Sequence, residues 1–233
     1  VLLETWNSRG HTQHHIDLDE ARYQLSYVAY HMMTRQTKRK TQLARITRSE
    51  LLRLLHSARR ELAELISGNE TPSQFIQNIE HRSALLIQKG FEKNALGERE
   101  AVYEFQHLTF QEYLAAYALT HSCYPGATEG DDPISIISPH LTNPNMCEVI
   151  PLVAVRLPRF YPSRLVDEML KQIDTPGLSL SIQNHMRDIL LQLIADELAL
   201  PTEKIDQMFK KCFAHYYCYK DRDVLRQILE GKY

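Results

Sequence analysis

Phe105-Gln106-His107-Leu108-Thr109-Phe110-Gln111-Glu112-Tyr113-Leu114-Ala115-Ala116 joins a short alternating run to an apolar one. Within it, Thr109-Phe110-Gln111-Glu112 has the T-x-x-E form, in which a threonine oxygen accepts a first-turn N–H and the glutamate reaches back to the cap. That pattern predicts a helix beginning at Thr109 and carrying Phe110, Tyr113, Leu114 and Tyr117, with Glu112 as the capping partner of Thr109. Phe105, Phe110 and Tyr113 read as core residues.

Immediately upstream, Leu85-Leu86-Ile87-Gln88-Lys89-Gly90-Phe91 and Ala101-Val102-Tyr103-Glu104-Phe105 are β-compatible runs. Asn94-Ala95-Leu96-Gly97 lies between them and predicts a small hairpin. Three helical stretches precede the hairpin. The first is capped by Asp17 or Asp19, carries Leu18, Leu25, Val28, Ala29, Met32 and Met33 at helical spacings, and ends near Arg35. The second starts at Thr47-Arg48-Ser49-Glu50, another T-x-x-E form, and runs to about Ile66. The third starts at Thr71-Pro72-Ser73-Gln74, with proline at the first helical position. Three helices followed by a hairpin is the winged-helix order. Residues 35–48 carry Arg35, Lys38, Arg39, Lys40, Arg45 and Arg48 without an acidic residue, which predicts an exposed connector.

Downstream, residues 124–144 concentrate Pro125, Gly126, Gly130, Pro133, Pro139 and Pro144 and form the best candidate linker. Helical stretches then recur near 145–157, 162–174, 179–199 and 201–218, with a shorter one near 220–230. Short Pro- or Gly-containing turns between them predict stacked helical hairpins of HEAT-like form.

The segment from Phe105 to Ala116 resembles the F-x-H-x-(T/S)-F-Q-E-(Y/F)-x-A-A signature near the end of the NACHT module of STAND nucleotide triphosphatases. Phe75-Ile76 through Arg82-Ser83-Ala84-Leu85-Leu86 is similar to the family's F-I-x-x-I-x-x-R-S-x-L-L stretch before the wing. Leu2-Leu3-Glu4-Thr5-Trp6-Asn7 resembles the helix that follows the ATPase core in prokaryotic-type members. The resemblance implies a winged helix that closes with an ATPase core over ADP at rest, then opens and oligomerises when a C-terminal sensor is engaged. It gives His107 a role: a donor to the β-phosphate of ADP in the intact parent, where ADP or ATP with magnesium is the cofactor. An imidazole N–H is a directional donor to a phosphate oxygen.

The rest of the sequence bounds this expectation. The chain has 233 residues, 43% hydrophobic and 24% charged, with a formal net charge of −2. None of its 8 glycines stands in a G-x-x-x-x-G-K-(S/T) or G-x-G-x-x-G arrangement, so no phosphate-cradling loop is encoded here. Nor does a hydrophobic strand end in paired acids for magnesium. No catalytic residue is therefore expected, and no cofactor for this stretch alone. No apolar run nears the roughly 18 residues that cross a bilayer. Starting at Val1 within an amphipathic pattern, the chain reads as part of a longer polypeptide without a secretory signal. Four dispersed cysteines read as reduced, cytoplasmic thiols.

Duplex DNA is the alternative partner. Gln74, Gln77, Asn78, His81 and Arg82 would face a groove, with Lys89, Lys93 and Arg99 at phosphates. Glu92, Glu98, Glu100 and Glu104 on the same wing oppose it. Cys212, His215 and Cys218 lack a fourth ligand for tetrahedral zinc, and fall on a stripe with Ile205, Met208, Phe209, Phe213 and Tyr216 that reads as core. His11, His14 and His15 read as exposed loop residues, and Asp131-Asp132 as polar linker. The expected protein is mainly α: residues 1–15 end a helical domain, 16–123 form a winged helix with a β-hairpin wing, 124–144 a linker, and 145–233 a helical arm. Its expected partners are the parent's ATPase core, a protein or other ligand at the arm, and further copies in the active state. A pure helical-repeat scaffold is the remaining alternative, and immune or antiviral defence is the setting the family suggests.

Overall fold

The structure, a computed structural model, describes residues 17–35, 45–83, 85–94 and 96–218, with the backbone alone for Arg82 and residues 214–218. The expected helices at Leu2–Asn7 and 220–230, and the histidines His11, His14 and His15, lie outside the described residues. Two compact units divide the chain, Val1–Ile136 and Ile137–Tyr233. The fold is mainly helical with a small sheet, as the pattern predicts.

In the first unit, α1 (Leu18–Thr34) starts at Asp17, whose carboxylate accepts the N–H groups of Asp19 at 2.8 Å and Glu20 at 3.2 Å. Its Ala21, Leu25, Val28, Ala29 and Met32 are fully buried. α2 (Arg48–Glu61) and α3 (Pro72–Arg82) follow, and then the hairpin of β2 (Leu86–Lys93) and β3 (Arg99–Phe105). α4 (Leu108–Thr120) follows the hairpin and packs extensively against α1. Ala115, Ala116 and Ala118 are fully buried, and residues this small let two helix axes approach to the short end of the usual 8–10 Å.

The hairpin is antiparallel, as expected, and its turn is built by Asn94, whose Oδ1 accepts the N–H groups of Leu96 and Glu98, both at 2.9 Å. Gly97 takes φ +80°, a left-handed value that glycine adopts without steric cost. A third strand, β1 (Arg45–Thr47), lies against β3 and gives the order β1-β3-β2.

This strand corrects the reading of 35–48 as one solvated connector. Ile46 is buried opposite Tyr103, while the Arg45 guanidinium donates to Glu104 at 2.6 Å and Glu92 at 3.1 Å. The acids that pair with Arg45 come from the wing, about fifty residues away, so local charge counting could not find them. Arg35 ties the other end, donating to the Arg45 carbonyl at 2.6 Å and to Glu50 at 3.3 Å.

Two capping forms are realised to different extents. Thr71 and Gln74 satisfy each other in a complete box at the start of α3. Thr47 accepts the Glu50 N–H at 3.3 Å, but the Glu50 carboxylate turns to His31 at 3.1 Å and to Arg35 instead of the cap. α2 also ends at Glu61, short of Ile66, although Ile66 remains buried. At that end the Glu61 carboxylate accepts the Tyr27 hydroxyl at 3.0 Å and the Gly126 N–H at 3.1 Å.

The stretch 124–144 is more than a linker. Tyr124, Ile134, Ile137 and Leu141 are buried, and it contains α5 (Pro133–Ile137), where the two units divide, and a 3₁₀ turn at Ser138–His140. In the second unit, α6 (Val149–Ala154), α7 (Tyr161–Ile173), α8 (Leu180–Ala195) and α9 (Thr202–Cys218) bury Leu165, Val166, Met169, Met186, Leu190, Leu193 and Met208 between them. α6 and α8 are shorter than the periodicity predicts. Glu197 at φ +53° turns the chain just past α8.

Hydrogen bonding from His31 and the Arg35 charge hold the Glu50 carboxyl below its usual range. A depressed folded pKa gives stability that is complete above the ordinary glutamate value of about 4.3 and is lost as pH falls through the folded value. Glu50→Gln should therefore destabilise the chain by about 1–3 kcal/mol at pH 7. It should also flatten the decline of the melting midpoint between about pH 5 and pH 3. A variant whose midpoint tracks the parent's through that window would contradict the assignment.

Candidate functional site

The turn from β3 into α4 is positioned by the wing. Phe105 is buried opposite Leu86, and the Gln106 N–H donates to the Leu85 carbonyl at 2.9 Å, so strand pairing persists to the edge of the helix. His107 is the last extended residue, with φ −131° and ψ 139°, and takes the N-cap position of α4. Its carbonyl accepts the Phe110 N–H at 3.1 Å.

The cap itself is chemically open. The His107 side chain accepts none of the first-turn N–H groups, and no acidic residue occupies that turn. Helix N-termini carry partial positive charge and outward N–H groups, which suit an anion. The imidazole is exposed and stands edge-on to the Phe110 ring, 5.3 Å between centroids. Gln106 and Thr109 are exposed beside it, with Leu108 at 48% and Tyr113 at 40%. The result is an exposed donor group at an uncapped helix start.

The capping box expected at Thr109 does not form. Strand pairing through Gln106 makes His107 the cap, two residues before Thr109, so the helix begins at Leu108 and Thr109 falls at its second position. Glu112 then lies on the following turn, buried together with Gln111 rather than reaching back. The core reading holds for Phe105 alone of the three aromatic residues; Phe110 is half-buried and Tyr113 exposed. Periodicity did not single out Leu108, because an apolar residue in the first turn reads the same whether or not a neighbour covers it.

Other candidates are placed as follows. On α3, Gln77 and His81 are exposed, while Gln74 is committed to the Thr71 cap and Asn78 to Glu70. On the wing, Glu92 and Glu104 hold Arg45, and Glu100 accepts the Ser49 N–H at 2.6 Å. Asp131 accepts the Thr128 N–H at 3.0 Å in a local turn. Cys212 is buried, its thiol pushed up to about 11 by loss of solvent, and donates to the Arg187 carbonyl at 3.6 Å. The side chains of His215 and Cys218 lie outside the described residues. Among the described residues no three His, Cys, Asp or Glu side chains converge as metal ligands, and no helix is long and apolar enough to cross a membrane.

Compared with known proteins, residues 1–119 match the family model of the winged helix-turn-helix domain C-terminal to NACHT. No curated protein and no solved structure matches the chain.

The two threonines make opposite predictions. Thr71→Ala, which removes a formed box, should cost about 1 kcal/mol. Thr109→Ala, where no cap exists, should stay within about 0.5 kcal/mol. Urea denaturation followed by circular dichroism measures both, and equal losses would contradict the assignment of His107 as the cap.

Proposed function

Because the chain belongs to the family of winged helix-turn-helix domains C-terminal to NACHT, we propose that it is the regulatory lid of a NACHT nucleotide switch. In the closed state His107 donates to a phosphate oxygen of ADP held by the ATPase core, and the lid keeps the switch at rest. The core supplies the phosphate loop and the magnesium site; this chain supplies the closing contact and no catalytic group. The second unit relays engagement of a protein or other ligand, after which the lid opens and copies assemble. A cytoplasmic setting in immune or antiviral defence fits such a switch.

One observation carries the reading. His107 is exposed at an N-cap where its side chain accepts no helix N–H, so the imidazole and the first-turn amides are available to the same anion. The exposed Leu108 beside it supports the reading further, since a partly exposed apolar residue next to a polar anchor suits a surface that closes on another domain. Support for the duplex-reading alternative is weaker, because Gln74 and Asn78 are already spent on local bonds.

The test uses the full-length parent loaded with ADP. A hydrogen bond to a charged group contributes about 1.5–3 kcal/mol, so His107→Ala should speed ADP release about tenfold or more and give activity without the activating ligand. Unchanged nucleotide retention would contradict the role.

A further inference from the structure

The wing carries a face that the closing contact at His107 does not use. Pairing of β2 with β3 sets Lys93 opposite Arg99 and Phe91 opposite Ala101, whereas Glu92 stands opposite Glu100. Successive side chains of a strand point to opposite faces, so the cations and the acids of the wing fall on different sides. The acidic side is engaged: Glu92 and Glu104 hold Arg45, and Glu100 accepts the Ser49 N–H. The other side is open. Phe91 is 55% exposed, with the Arg99 guanidinium 4.9 Å from its ring centroid, and Leu96 in the turn is 82% exposed. Neither Lys93 nor Arg99 forms an ion pair among the described residues. Like charges directly opposite each other on paired strands repel, so an occupant that brings carboxylates relieves this pair.

A complement to that face lies on the same unit. The first turns of α1 and α3 border a cavity of about 500 Å³ lined by Asp17, Glu20 and Glu70, with Gln24, Phe75 and Asn78. Among the described residues no basic side chain lines it. The bonds its acids accept come from neutral groups: Asp17 takes the Asp19 and Glu20 amides, Glu20 takes those of Ser67 and Gly68, and Glu70 takes the Asn78 side chain. Arg59 donates to Gln24 at 2.8 Å, and its charge acts on Glu20 and Glu70. One cation against three carboxylates leaves the cavity negative. No residue of the wing lines it, so a wing that fills it comes from another copy.

We propose that the wing tip of one copy docks into this cavity on the next, with Arg99 and Lys93 meeting Asp17 and Glu70 while Phe91 and Leu96 leave water. Arginine and aromatic side chains anchor protein interfaces, and opposed charges fix their register. The two patches differ, so the contact is head-to-tail and passes from copy to copy. A nucleic-acid backbone fits this face less well, because phosphates offer nothing apolar to cover Phe91 and Leu96. The inference rests on the reading above for the assembly of copies and names its surfaces, whereas ADP retention by His107 is measured separately.

The test is analytical ultracentrifugation of the whole chain from about 1 μM to about 1 mM at about 50 mM salt, repeated at about 500 mM. The chain associates at low salt and does so about tenfold more weakly at high salt. Lys93→Ala with Arg99→Ala spoils the wing and keeps the cavity. Asp17→Asn with Glu70→Gln spoils the cavity and keeps the wing, and asparagine still caps a helix. Each double variant is monomeric alone. Mixed in equal amounts they form a one-to-one dimer and nothing longer, because each pair retains one intact wing and one intact cavity. Leu96→Ser weakens association about tenfold, His107→Ala leaves it unchanged, and circular dichroism checks the fold of every variant. A chain that stays monomeric, even one that binds a duplex oligonucleotide through Lys93 and Arg99, would overturn the proposal. So would association indifferent to salt or to either double variant, loss with His107→Ala, or a mixture that stays monomeric.

Discussion

Helices α1 and α4 pack against each other, and both carry fully buried alanines, Ala21 and Ala29 on one and Ala115, Ala116 and Ala118 on the other. A larger side chain at these positions has no space in a close-packed interior, and overpacking costs about 1–3 kcal/mol. This contact sets where α4 lies. β3 sets where α4 begins, because its pairing runs through Gln106 and leaves His107 as the last extended residue. Between them, helix packing and strand pairing hold an imidazole at an open helix start without using that imidazole for stability. A residue free of structural duty at such a place is available for a ligand.

Charge plays a different part in the same unit. Arg45 donates to acids from both wing strands, while Arg35 and His31 converge on Glu50. Surface pairs contribute little singly, but these join segments distant in sequence and define the short strand β1. They also occupy Glu92 and Glu104, two of the wing acids that argue against a phosphate partner when counted as free charge.

Much of the fold was legible because local signals agreed with tertiary demands. Asp17, Thr71 with Pro72 and Gln74, and the Asn94–Gly97 turn each specify backbone geometry within four residues, and each appears where expected. The misreadings share one cause. Arg45–Thr47 as a strand, the Glu50 carboxylate at His31, and the helix start at Leu108 are all decided by partners that periodicity does not see. Thr109-Phe110-Gln111-Glu112 illustrates it best: a sound capping pattern gave way because strand pairing claimed Gln106 and moved the cap two residues back, to His107. For the site, the sequence singles out His107 through its family signature, whereas its place at an uncapped helix start beside the exposed Leu108 becomes visible only in the folded chain.

The central claim is that His107 is held open by the fold so that it can close on a phosphate. The most direct measurement is an experimental structure of the full-length parent loaded with ADP. The account predicts an imidazole nitrogen of His107 within about 2.7–3.2 Å of a phosphate oxygen of ADP. An imidazole turned away from the nucleotide, with another group making that contact, would contradict it.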